Sequence, residues 1–298
     1  MNILCVGHAA YDITFPVLDF PKENTKNRLH ERVECGGGPA SNGAYLLAKW
    51  GLPVYFMGVV GNDYYGKKIK EELDNIHVDT TYLELSDQFP TTVSTIIANK
   101  KNGSRTILTY RDTTMQLSNK EISFTPDIIL MDGQEIEVSN NLVDKFPNAI
   151  TIIDAGRPTE EIISLSKKVK YVVCSKEFAE TIANEQFTEE KESYTRIFTK
   201  MKEIFPGEIV ITLESKGCLY EYNNMIKVMP SIQVKAIDST GAGDIFHGAF
   251  TYGIAKKWPY EKILQMANIT GALSVTKVGG RFSIPTIEEM KKIYEDFE

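Results

Sequence analysis

Apolar residues along this chain follow two rhythms. From residue 127 onward, short continuous apolar runs at 128–131, 150–153, 171–174 and 209–213 alternate with segments of helical periodicity. Such an alternation is what parallel strands covered on both faces require, and it predicts an α/β core. Similar runs at 2–7 and 54–60, the second followed by a helix to residue 75, extend the same sheet. The second rhythm interrupts this order. Two strand-like pieces at 13–17 and 28–34 surround a polar, proline-containing connection, and 91–99 with 104–110 flank a Lys-Asn-Gly turn as a hairpin. These pieces predict a small separate sheet from about residues 11–34 and 89–112. Three glycines, Gly36, Gly37 and Gly38, precede a helix to about Trp50 whose apolar face is Ala44, Leu47 and Ala48. Near the end, Ile232, Val234 and Ala236 alternate with polar residues as a strand would, and a buried helix opens at Ala242. An amphipathic helix follows at 263–274, and Thr286 with Glu289 has the form of a capping box.

Composition narrows the function classes. A chain of 298 residues with 42% hydrophobic and 24% charged residues reads as a globular protein with a substantial core, here a single α/β domain over 1–298. A formal charge of −7 argues against a general nucleic-acid binder, which needs a basic footprint. The four cysteines (Cys5, Cys35, Cys174, Cys218) form no CxxC pair, so reduced thiols in a cytoplasmic protein are expected. The N-terminus goes directly into a strand-like run, which predicts neither secretion nor membrane anchoring. The histidines His8, His30, His77 and His247 lack metal-ligand spacing, and packing or surface roles are expected for them.

The chemistry is concentrated in residues 236–250. A chain that breaks through Gly241-Ala242-Gly243 into a helix leaves the first helical N–H groups unpaired, with the positive end of the helix dipole behind them. This is an anion site, and the glycines admit close approach of a phosphate. Asp244 stands inside it. A carboxylate there can accept the proton of an attacking hydroxyl while the helix N-terminus holds the developing charge. The plainer alternative is a turn in which Asp244 only caps the helix.

The run Asp238-Ser239-Thr240-Gly241-Ala242-Gly243-Asp244-Ile245-Phe246 resembles the signature of the ribokinase-like (PfkB-type) carbohydrate kinases, with Ser239 in a place usually taken by Thr. Gly37-Gly38 with Asn42 is similar to the family's N-terminal glycine hinge, and 58–66 to its Gly-x-Val-Gly-x-Asp-x-x-Gly turn. Thr91-Thr92 and Gly103-Ser104-Arg105-Thr106 resemble lid features. Thr212 to Gly217 resembles the nucleotide-facing Thr-x-Gly-x-x-Gly turn, with Glu214 at the first glycine, and 277–285 resembles the closing loop. Gly36 to Ala40, Asp244 to Gly248 and Gly279 to Arg281 are closest to the ketohexokinase and bacterial ketose kinase branch.

The resemblance implies a three-layer sandwich with a mostly parallel central sheet and a small β-sheet lid, and ATP-dependent phosphorylation of a sugar. It implies catalysis by Asp244 with the backbone of Gly241, Ala242 and Gly243, and sugar contacts from Asp12, Gly37, Gly38, Asn42, Arg105 and Glu135. Thr212, Gly217 and Asn268 would meet the nucleotide. Mg²⁺ would accompany ATP, with Glu177 near its shell, although Ser175-Lys176-Glu177-Phe178 stands where the family has Asn-x-x-Glu. A K⁺ ion would lie between Asp238 and the closing loop near Gly280 and Ser283. The lid sheet would pair two copies into a homodimer, with no nucleic-acid or membrane partner. A non-phosphorylated ketohexose or pentose is the expected acceptor; inward-pointing Arg105 and Arg111 would favour an anionic sugar or keto acid, and a nucleoside is a further alternative. Other classes stay open: a non-catalytic sensor on this fold, or an oxidoreductase, for which Gly7-His8-Ala9-Ala10 lacks the expected glycine pattern. There is no P-loop.

Overall fold

The continuous apolar runs become interior strands of one large sheet. The computed structural model describes residues 1–118 and 120–294. The first half contains β1 (Ile3–Val6), β2 (Ala10–Val17), β3 (Val33–Gly37), α1 (Pro39–Lys49), β4 (Val54–Gly61), α2 (Tyr64–Asn75), β5 (Asp79–Ser86), β6 (Val93–Asn99) and β7 (Arg105–Tyr110). Then come β8 (Ile128–Met131), α3 (Ile136–Lys145), β9 (Ile150–Ala155), α4 (Glu160–Ser166), β10 (Tyr171–Ser175), α5 (Lys176–Ala183) and α6 (Lys191–Ile204). The chain closes with β11 (Glu208–Thr212), β12 (Cys218–Tyr222), β13 (Met225–Met229), α7 (Ala242–Ala255), α8 (Tyr260–Ser274) and α9 (Ile287–Lys291).

Nine strands form the main sheet in the order β13-β12-β11-β10-β9-β8-β1-β4-β5. All its pairings are parallel except those of β11 with β12 and β12 with β13. Apolar side chains fill both faces. Leu46, Leu47 and Phe250 belong to the core under α1 and α7, and Phe178, Phe198 and Phe205 to the core under α5 and α6. The strand order reverses at β1, between β4 and β8, so a crevice opens beyond the C-terminal ends of these strands. Gly7, Asp132 and Asp154 lie at those ends.

A second sheet has the order β3-β2-β6-β7. Its entry is pinned by Asp63, which accepts bonds from the Thr91 backbone N–H at 2.8 Å and the Thr91 hydroxyl at 2.7 Å. The hairpin tip reaches the main body, where Gly103 O accepts from Ser239 N at 3.0 Å and from Ser239 Oγ at 2.8 Å.

Three expectations change. The strand expected at 28–34 is β3 instead, because Gly36 and Gly37 pair with Tyr11 and Ala10 while residues 18–32 are exposed. No strand forms around Ile232, Val234 and Ala236; together with Gln233 they line a cavity, and Ile232 also packs against the core. The hairpin of β12 and β13 turns through Asn223 and Asn224 at φ 52° and 59°, a left-handed pair that asparagine tolerates. That signal, like β5, escaped the reading of apolar runs.

The closing loop is tied to the hinge by Arg281, which is fully buried. Its Nη1 donates to Glu72 Oε2 at 2.9 Å and its Nη2 to Ser41 Oγ at 2.5 Å, while its guanidinium lies 5.1 Å from the Tyr45 ring centroid. The same Glu72 oxygen accepts from the Gly36 N–H at 2.8 Å. Removing the carboxylate strands a buried cation. Glu72→Ala is expected to lower unfolding stability by ~3 kcal/mol and Glu72→Gln by less, read by urea denaturation; equal, negligible losses would show that the buried guanidinium does not need this partner.

Candidate active site

Helix α7 begins as the sequence suggested. Gly241 takes φ 72° and supplies no side-chain cap, and the first helical bond runs from Ile245 N to Gly241 O at 2.9 Å. The N–H groups of Gly243 and Asp244 precede that bond and face outward from the helix end. Nothing lies within 4 Å of a Cβ built on Gly243, so the cradle is open in front.

Asp244 is fixed by a neighbour from the opposite end of the chain. Asn42 Nδ2, on α1, donates to Asp244 Oδ2 at 2.8 Å. The Asn42 Oδ1 atom is buried and has no hydrogen-bond partner among the described residues. A buried amide oxygen left bare beside a carboxylate is a place for a donor, and a hydroxyl group fits it.

Asp12, on β2, completes this group. A Cβ on Gly37 would stand 2.1 Å from Asp12 Oδ2, and one on Gly38 would stand 2.4 Å from His8 O, so the hinge glycines are where backbone and carboxylate meet. Burial pushes the Asp12 carboxyl up to about 6, and the nearby Asp244 charge adds to the rise. Asp12, Gly37, Gly38, Asn42 and Asp244 are thus brought together.

Glu135 is buried one step away. Its Oε2 accepts from Leu117 N at 3.1 Å, and its Oε1 lies 3.9 Å from Arg111 Nη2. Arg111 Nη1 donates to His8 Nδ1 at 2.8 Å, which fixes Nδ1 as the acceptor and leaves Nε2 to carry the proton. Burial and the Arg111 charge push His8 down to about 3, so it is neutral. Asp132 anchors the floor, accepting from the N–H groups of His8 at 2.7 Å, Ala40 at 3.1 Å and Gln134 at 2.9 Å.

Arg105 does not join these residues. The hairpin tip carries it to the other side of the cradle, where its Nη1 donates to Ser239 Oγ at 2.7 Å. There it lines a cavity of ≈ 540 Å³ with Thr212, Gly217, Asn268, Ala242 and Gly243. The volume suits a small-molecule ligand of nucleotide size. Asn268 donates to Met229 O at 3.1 Å, which places it on the cavity wall beside β13. Glu214 is exposed and adopts φ 54°, the left-handed turn a glycine would take at no cost.

The cation candidates divide. Asp238 is buried; its Oδ1 accepts from Thr240 N at 2.9 Å and Thr240 Oγ1 at 2.6 Å, and its Oδ2 from Gly279 N at 2.8 Å. No cationic side chain pairs with it among the described residues. A buried carboxylate without a cationic side chain, tied to the closing loop through Gly279, fits a hard monovalent cation. Ser283 is buried there too, its hydroxyl donating to Gly280 O at 2.7 Å. Glu177 does not fit a metal role: it is exposed on the first turn of α5 and outside the cavity lining, while Phe178 fills the core.

His8 and His247 were not expected at the site, Arg111 was weighed only as an inward-pointing charge, and Asp132 and Asp154 only as polar residues at strand ends. Polar residues at the C-terminal ends of parallel strands were the available signal for the two aspartates. Nothing local marked the histidines.

Comparison with known proteins agrees with this geometry. Residues 1–287 match the profile described as pfkB family carbohydrate kinase. Ribokinase of Haemophilus influenzae is 24% identical, covering 99% of this chain and 98% of its own, and nucleoside kinase of Methanocaldococcus jannaschii is 24% identical over 97% and 95%. The crystal structure of ribokinase from Thermotoga maritima superposes with a TM-score of 0.80 at 25% identity, covering 99% of each chain. With an uncapped helix N-terminus, a carboxylate inside it and a match along nearly its whole length, this chain belongs to the pfkB family of carbohydrate kinases, phosphotransferases that use an alcohol group as acceptor.

Proposed function

We propose that this protein is an ATP-dependent kinase of a small, non-phosphorylated sugar, a ketohexose or pentose. The observation that carries the reading is the Asn42–Asp244 pair at the open end of α7, with the bare Asn42 oxygen beside it. Asp244 accepts the proton of the sugar hydroxyl as that hydroxyl attacks the γ-phosphoryl group, and the N–H groups at the α7 terminus hold the charge that develops. Asp12 and Asn42 orient the sugar by accepting from its other hydroxyls. Thr212, Gly217 and Asn268 line the nucleotide's space, and Arg105, held only by the neutral Ser239 hydroxyl, supplies positive charge to the polyphosphate.

The arrangement of the arginines supports a neutral acceptor. Arg105 serves the cavity, and Arg111 is already engaged by His8 with Glu135 nearby. Asp238 and the closing loop would hold K⁺, which would draw the loop toward the cradle. No residue of this chain is assigned to Mg²⁺. The four unpaired, buried cysteines fit a reducing compartment such as the cytoplasm, and no helix among the described residues is long and apolar enough to cross a membrane.

The lid supports a homodimer. All six residues of its edge strand β7 are exposed, including Leu108 at 62% and Tyr110 at 65%. A flat apolar edge of this kind pairs with another strand or face, and a second copy of the lid supplies one.

Asp244→Asn is expected to reduce kcat roughly 1,000-fold while nucleotide affinity stays within a few-fold, as suits a group acting in the transition state. A purified variant with near-normal turnover would remove Asp244 as the base. In the same assay, fructose or ribose is expected to be used better than fructose 6-phosphate or 2-keto-3-deoxygluconate; a preference of more than about tenfold for the anionic acceptors, ~1.4 kcal/mol, reverses the substrate class. Loss of activity when Na⁺ or a bulky organic cation replaces K⁺ is the outcome expected of the Asp238 site.

The raised Asp12 carboxyl also predicts a pH effect on stability. The folded protein holds this proton up to about pH 6, whereas the unfolded chain releases it near the ordinary 3.8, so the associated stability is present at low pH and is lost as pH rises through 6. Asp12→Asn lacks that loss. Its Tm advantage over wild type should therefore widen between about pH 4 and 6 and level off above that; a constant difference would mean that Asp12 ionises without cost.

Sedimentation should show a dimer that Leu108→Lys converts to monomer, and a monomeric wild type would discard the pairing.

A further inference from the structure

His247 lies one helical turn behind Asp244, almost wholly buried at 4% exposure, and the reaction as described does not use it. Every group its ring nitrogens meet is an acceptor. Nδ1 stands 2.6 Å from Gly243 O and 3.2 Å from Asp154 Oδ2, and Nε2 stands 3.1 Å from Val173 O. A neutral imidazole has one N–H and would set its other lone pair against a carbonyl oxygen at one of these contacts. Protons on both nitrogens satisfy all three oxygens, and the Asp154 carboxylate, at the end of β9, balances the charge.

The carbonyl that Nδ1 reaches belongs to the peptide joining Gly243 to Asp244. The N–H of that peptide is one of the unpaired donors at the α7 terminus. A charged donor on the carbonyl oxygen polarises the whole peptide, strengthening the N–H as a donor on the far side. It also fixes the plane from which the Asp244 side chain departs.

We propose that His247, as an imidazolium paired with Asp154, is a positioning residue that holds and polarises the Gly243–Asp244 peptide, so that the anion cradle and the carboxylate inside it are set before the substrates arrive. The proposal rests on the reading of Asp244 as the base. It concerns the structure beneath that site and contacts neither substrate. The ionisable groups facing the pair are Asp244 on α7 itself, Asp132 after β8 and the Cys174 thiol on β10, together with Asp154. Burial, with the charges of Asp244 and Asp132, raises the Asp154 carboxyl to about 7, and the His247 charge opposes that rise.

The test separates the two ring nitrogens. An asparagine amide can occupy the place of Nδ1 and donate to Gly243 O, whereas a glutamine amide takes the place of Nε2 and donates to Val173 O. His247→Gln should lower kcat about 30-fold with KM for ATP and sugar within about threefold, while His247→Asn stays within about fivefold of wild-type kcat. Asp154→Asn should lower kcat as His247→Gln does. Nitrogen-15 NMR of wild-type protein, with His247 assigned by its loss in His247→Asn, should show both ring nitrogens protonated near neutral pH.

A single ring proton overturns the proposal whatever the variants do, and so does wild-type kcat in His247→Gln. Equal losses in the Asn and Gln variants, or losses shared by both KM values, assign His247 to packing instead. If Asp244→Asn stays active, the base assignment has failed, whereas a doubly protonated His247 in the same experiment shows that the imidazolium is intact.

Discussion

The site depends on how closely α1 can approach α7. Gly248 sits where the helices cross, and a Cβ built on it would come 3.3 Å from Gly43 Cα and 3.2 Å from Leu46 Cβ. Side chains at this crossing would hold the helices apart. One turn toward each N-terminus the same approach brings Asn42 to Asp244 at 2.8 Å, so two residues separated by 202 positions act as one group. The hydrogen bond is specific only because the packing is. An amide on a helix that could slide by half a turn would not select one carboxylate oxygen.

Around that contact the protein collects more acid than base. Asp12 on β2, Asp132 and Asp154 at strand ends, Asp238 in a loop and Asp244 on α7 converge, and burial raises the carboxyls of Asp12, Asp132 and Asp154. Backbone N–H groups, more than cationic side chains, make this possible. Asp132 takes three of them, and Asp238 takes two with a hydroxyl. Backbone donors are fixed in direction and bring no charge into the cleft, so the carboxylates stay able to receive hydroxyl groups. Arg281 is placed where it offsets this acidity from below, lowering Asp12's tendency to hold its proton without entering the cleft.

How much of this was legible in the sequence follows from the range of the interactions. The parallel strands were legible because each is a continuous apolar run, and so was α7, whose glycines and apolar tail are local. Asp12, Gly38 and Asn42 were reachable through motifs that are themselves local. Arg105 was placed with the sugar, and the structure takes it to the cavity on the other side of the cradle, because its position depends on a hairpin tip docking on Ser239, 134 residues away. His247 read as packing, since its partners come from β9 and β10 and leave no trace near residue 247. The alternation at Ile232, Val234 and Ala236 did not mark a strand, because the segment, Gln233 included, runs along a cavity without pairing to a neighbouring strand.

The two sheets are joined at two places, on opposite sides of the α7 terminus. At the hinge, Gly36 shares the Glu72 carboxylate with Arg281 of the closing loop, next to Asp12 and the acceptor cluster. At the hairpin tip, Gly103 and Arg105 meet Ser239, on the wall of the cavity assigned to the nucleotide. A displacement of the lid must loosen the tip contact and turn the chain at the hinge glycines, where a Cβ would already collide with Asp12 or with the backbone at His8. Both ends of that displacement lead to α7, through Asn42 on one side and Ser239 on the other. Any such displacement would therefore act on both the carboxylate, which Asn42 holds, and the entry to the cradle, where Ser239 lies.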